Sequence, residues 1–60
     1  MTDKINEIAE SLINGNWGFN KARINRLNKG EFLLLIEHYA FLTGENLNEV
    51  VKSFKNYFLK

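Results

Sequence analysis

His38 is the only imidazole in this 60-residue sequence, and there is no cysteine. Acid–base or nucleophilic catalysis needs a base within hydrogen-bond reach of the reacting group, oriented by another side chain. Glu37 precedes His38, but adjacent helix positions point about 100° apart, so Glu37 does not orient the ring. Ser11 and Ser53 lack any sequence context that would activate a hydroxyl. One histidine and no thiol leave no ligand set for zinc. Asp3, Glu7 and Glu10 recur at i, i+4 and i+7, the stripe of a solvated helix face and too small to mimic nucleic acid. We expect no enzyme, no metal site and no cofactor, with His38 at the surface or its boundary.

What remains is chemistry of binding. Trp17 and Phe19 fall in a short stretch with Asn14, Gly15, Asn16, Gly18 and Asn20, read as a loop over 16–20. Two large aromatics there have two readings. They fold back as a lid on the core, or they stand out as an anchor, since Trp and Arg are enriched among interface hot spots. The segment from Lys21 to Lys29 holds four cations and no acid. Lys21, Arg23 and Arg26 extend the aromatic pair into a candidate partner-binding patch. The same cations can pair with phosphates, and Asn20, Asn25 and Asn28 can reach base edges. The plainer reading is an amphipathic helix whose outer side is basic.

A second nucleic-acid reading comes from Ala40, Gly44 and Val50. Their spacing resembles the helix-turn-helix family: a small residue in the first helix, a glycine in the turn, an apolar residue six further on. The likeness covers only this stretch. It departs at Glu45, where that family places an apolar residue. It implies a DNA-reading second helix presenting Asn46, Asn48, Lys52 and Lys55.

The elements that must position these residues are all helical. Ile5, Ile8, Ala9, Leu12 and Ile13 form one face of a helix over about 2–14, capped by Thr2 or Asp3 and stopped at Asn14-Gly15. A short second helix is expected over about 20–27, with Ile24 and Leu27 on one side. Asn28 with Glu31 makes a capping-box pair, and Leu27 with Phe32 a hydrophobic staple, so a third helix starts near Lys29. It runs to Thr43, and Gly44 stops it. Asn46 with Glu49 repeats the cap signal for a fourth helix bearing Leu47, Val50, Val51, Phe54 and Phe58. No segment shows the two-residue alternation of a strand.

The third helix is apolar nearly all round. Phe32, Leu35, Ile36, Tyr39 and Ala40 make one stripe, and Leu33, Leu34, Phe41 and Leu42 lie off it. Such a helix has to be covered on more than one side. Either it is central, with the others packed around it, or a partner or second copy completes the covering.

Composition narrows the class. Eight basic and seven acidic residues give a net charge of +1, which argues against a generic polyanion binder. An apolar fraction of 45% is too high for a disordered chain. No apolar run approaches the ~20 residues of a membrane span, and the start Met1-Thr2-Asp3-Lys4 does not read as a signal peptide. A cytoplasmic setting is expected. Chains this short have thin stability and often add disulfides, a metal or a second copy. Without cysteine, self-association through the third and fourth helices is the remaining common option.

In size and composition, and in the Leu12-Ile-Asn-Gly-Asn16 turn before a short basic helix, the chain is similar to small helical accessory proteins of phages and mobile elements. That resemblance implies inhibition or regulation of a host protein by binding it; it carries over no functional residue. The sequence reading is therefore an all-α, compact bundle of four helices with the second one short and the third central. Its expected role is a non-enzymatic protein-binding module using Trp17, Phe19, Lys21, Arg23 and Arg26. A small DNA-binding protein and a self-associating structural protein are the alternatives.

Overall fold

A computed structural model describes residues 3–58, which form four helices and no strand: α1 (Asp3–Ile13), α2 (Trp17–Asn25), α3 (Lys29–Thr43) and α4 (Leu47–Phe58). α3 is the longest and packs on both α1 and α4, while α2 packs on α1 and α4. The four helices thus close a ring around one core, with α2 and α3 at opposite corners. α3 is central in that it carries the packing of two neighbours. It is not wrapped on a third side, because α2 spends its apolar side on α1 and α4. The molecule measures 24 × 23 × 23 Å. A 15-residue helix is about 22 Å long, so α3 spans it end to end. No helix among the described residues is long and apolar enough to cross a membrane.

Local signals set most helix ends. At the end of α1, Gly15 takes φ 92°. Its N–H donates to the Leu12 carbonyl, and that of Asn16 to the Ser11 carbonyl. Those two bonds make a Schellman stop, and glycine enters this left-handed region without a Cβ clash. At the start of α3 the Asn28 side chain accepts from the Glu31 N–H at 2.8 Å, and the Glu31 carboxylate accepts from the Asn28 N–H at 3.1 Å. Leu27 and Phe32 are both buried beside this cap. Gly44 ends α3 at φ 72°, donating to the Ala40 carbonyl. The Asn46 side chain caps α4, but it accepts from the Asn48 N–H two residues on, at 2.9 Å. The cap expected from Thr2 or the Asp3 side chain lies outside what is described.

One element differs from the sequence reading. The stretch 16–20 is not a loop: α2 begins at Trp17 and ends at Asn25. Asn16 precedes it without a side-chain cap bond. Tertiary contacts supply what the cap does not. Trp17 inserts among aromatics of α3 and α4, and the buried Asn20 side chain donates to the Asn16 carbonyl and to Ser11 Oγ, each at 2.8 Å. The Asn16 bond closes the first turn of α2, and the Ser11 bond ties that turn to α1.

Candidate interaction surfaces

The core takes Ile5, Ile8, Ala9 and Leu12 from α1, Ile24 and Leu27 from the second segment, Phe32, Leu35, Ile36 and Ala40 from α3, and Val50, Phe54 and Phe58 from α4. These follow the helical stripes legible in the sequence. Ile13 and Leu47, at the margins of their stripes, stay about half-exposed.

The two aromatics of the 16–20 stretch part company. Trp17 stacks on Phe58 at 5.5 Å and meets Tyr39, Phe54 and Tyr57 edge-on at 5.3–5.8 Å. It is the lid. Phe19 is 73% exposed. Phe19 and Arg23 fall at i and i+4 of α2, and Arg26, its C-cap, follows at i+7; the two arginines border a groove with Lys4 and Ile8 of α1. Arg23 leans toward α1, 3.7 Å from the Glu7 carboxylate, and donates to Asn20 Oδ1 at 3.4 Å. Arg26 is exposed and has no carboxylate partner among the described residues. Lys21 lies on the other flank, 5.8 Å from the centre of the Tyr57 ring. Of the five residues expected to form a partner patch, the structure therefore keeps Phe19, Arg23 and Arg26 at successive helical turns, with the two arginines beside α1. It turns Trp17 inward and sets Lys21 against α4.

The asparagines of the basic segment are mostly spent internally. Asn20 is fully buried as the clasp between α1 and α2, and Asn28 caps α3; only Asn25 is exposed and free. Asn46 is likewise occupied as the cap of α4. Asn48, Lys52 and Lys55 are exposed at i, i+4 and i+7 on α4, with the exposed acid Glu49 beside Asn48. Lys55 also borders a groove between α3 and α4 of about 500 Å³, with Lys29, Phe32, Leu33, Ile36 and Val51.

His38 is a tie between helices. Its Nε2 lies 2.9 Å from Asn6 Oδ1. Glu37 is exposed and makes no contact with His38. Among the described residues no group of three His, Cys, Asp or Glu side chains converges as metal ligands do.

The outward side of α3 carries four of the exposed large hydrophobics. Leu33, Leu34, Phe41 and Leu42 are all exposed, Phe41 to 81%, and half-exposed Ile13 of α1 adjoins Leu42. These are the off-stripe residues of the sequence. Their pattern was visible there; which of them a neighbour would cover was not. No protein-family model, curated protein or solved structure matches the chain, so the functional reading rests on these surfaces.

Proposed function

We propose that this chain is a non-enzymatic binding module that regulates or inhibits another protein by occupying part of its surface. The observation that carries the reading is Phe19. It is a large aromatic on a helix, 73% exposed, with two arginines one and two turns further along. An aromatic body flanked by guanidinium groups is the composition of an interface hot spot. Burying the Phe19 ring supplies apolar area, and Arg26, free of any described carboxylate, supplies a charged bond to a partner's acid. The partner class that fits is a folded protein with an apolar pocket rimmed by carboxylates.

The test is affinity capture from a host lysate with the wild type and with Phe19→Ala plus Arg26→Ala. Phe19 is the residue to replace, because losing Trp17 would disturb the core and confound the result. Loss of the captured partner with unchanged helicity supports the site. Identical partners for both proteins remove it.

A DNA-binding reading draws on Asn48, Lys52 and Lys55 standing together on α4. A mobility shift that weakens steeply with salt would favour it, since phosphate contacts release counterions. The absence of a shift at low salt would discard it.

A further inference from the structure

We infer that the outward face of α3 is a self-complementary surface on which two copies of this chain pair antiparallel. Along the outer side of the helix the order is Leu33-Leu34, then exposed Glu37 with half-buried His38, then Phe41-Leu42. An apolar pair, a polar pair and an apolar pair follow one another at intervals of four. The pattern reads the same from either end, with its midpoint between Glu37 and His38. A two-fold axis through that midpoint lays Leu34 of one copy against Phe41 of the other, twice, with Leu33 and Leu42 on the flanks toward α4 and α1. Isologous contacts require this of a surface, since one patch serves both copies.

Side-chain size selects the direction. Leu34 and Phe41 stand at i and i+7, both near the middle of the outward face. In an antiparallel pair each Phe41 meets a Leu34, so both layers have the same volume. A parallel pair would set Phe41 on Phe41 and Leu34 on Leu34, wedging the helices apart at one end. Antiparallel helix dipoles add to the preference.

A standard interface takes about 800 Å² from each partner, roughly a fifth of this molecule's 4024 Å² surface. Leu33, Leu34, Phe41 and Leu42 of α3 with Ile13 of α1 are the exposed apolar side chains that such an interface would bury. The face lies at the opposite corner of the ring from Phe19, so pairing leaves the α2 patch open and presents it twice.

The same axis brings Glu37 of each copy to one edge of the interface and His38 of each copy to the other. The two carboxylates repel across that edge.

Sedimentation equilibrium across about 5 μM to 1 mM reads the outcome, a range set by the micromolar affinities common for interfaces of this size. Wild type is expected to pass from monomer to dimer. Phe41→Glu is expected to stay monomeric, and Leu34→Gln to weaken the dimer at least tenfold. Neither residue belongs to the core, so circular dichroism of each should match wild type at dilution. Glu37→Gln is expected to tighten the dimer several-fold by removing the repelling pair. A wild type that is monomeric at 1 mM overturns the proposal, as does a Phe41→Glu protein that dimerises like wild type. Loosening by Glu37→Gln overturns the antiparallel arrangement.

Discussion

Six of the eight aromatic residues meet in one cluster, and the other two stand in water. Trp17, Phe32, Tyr39, Phe54, Tyr57 and Phe58 lie ring to ring at 5.0–6.1 Å. Phe19 and Phe41 are the most exposed large hydrophobic side chains among the described residues. Both regions look equally apolar in composition. They differ in what the residues touch. In the cluster, rings from α2, α3 and α4 cover one another and hold three helices together. On the α3 face, Leu33, Leu34, Phe41 and Leu42 project from one helix and stay 42–81% exposed among the described residues. The first region stabilises the fold. The second adds nothing comparable to stability until something covers it.

Three measurements can break or sharpen that contrast. The largest effect is expected at Trp17. Trp17→Ala removes a ring that bridges α2 to α3 and α4, and should cost about 3 kcal/mol, the lower end for a large aromatic because the ring is only part-buried. A 60-residue domain has roughly 3–9 kcal/mol in total. Urea unfolding should therefore show a midpoint lowered by about a third at least, and at the low end of that range no folded baseline. A midpoint close to wild type would mean that the cluster does not hold α2.

The second measurement probes the charge environment at the rim of the cluster. Burial raises the Tyr39 phenol above its ordinary value near 10, and the Glu45 carboxylate raises it further. The sign follows directly. The folded state disfavours the phenolate, so the unfolded chain ionises first. The associated stability is complete below pH 10 and is lost as the pH rises beyond it. Absorbance titration at 295 nm in a Tyr57→Phe background isolates Tyr39. Glu45→Gln should move its titration down toward the ordinary value. An unchanged midpoint would show that burial alone sets it.

The smallest effect is expected on the other side of the contrast. Phe41→Ala, measured at low micromolar concentration where the chain is a monomer, should change the unfolding free energy by no more than about 0.5 kcal/mol. A loss of 2 kcal/mol or more would mean that Phe41 packs within its own chain, and the two regions would not differ as described.

The residues behind this contrast show how far sequence reasoning reaches. The cap at Asn28 and Glu31, the stops at Gly15 and Gly44 and the buried stripes of α1, α3 and α4 are local signals. Each depends on residues within a turn or two, and periodicity or a side-chain cap reports them directly. Asn20 escaped this reasoning. In sequence it is one of several asparagines in a basic segment; in the fold it is buried and bonded to Ser11 and Asn16. An asparagine between the exposed Phe19 and the exposed Lys21 offers no sequence signal for that.

Trp17 and Phe19 mark the same limit within three residues. Both are large, both sit among glycines and asparagines, and the sequence left lid and anchor open for each. The choice depends on Tyr39, Phe54, Tyr57 and Phe58, which lie far along the chain and are brought together only when α3 and α4 fold. That packing also starts α2 at Trp17, without a side-chain cap, where local signals read a loop.

The sequence by itself determined four helices, most of their ends and their buried faces, because 3.6-residue periodicity and capping act over a few residues. The tertiary structure decided which aromatic is core and which is surface, that Asn20 is a clasp, and that α3 has neighbours on two sides. Those outcomes depend on contacts between residues distant in sequence, which no local pattern encodes.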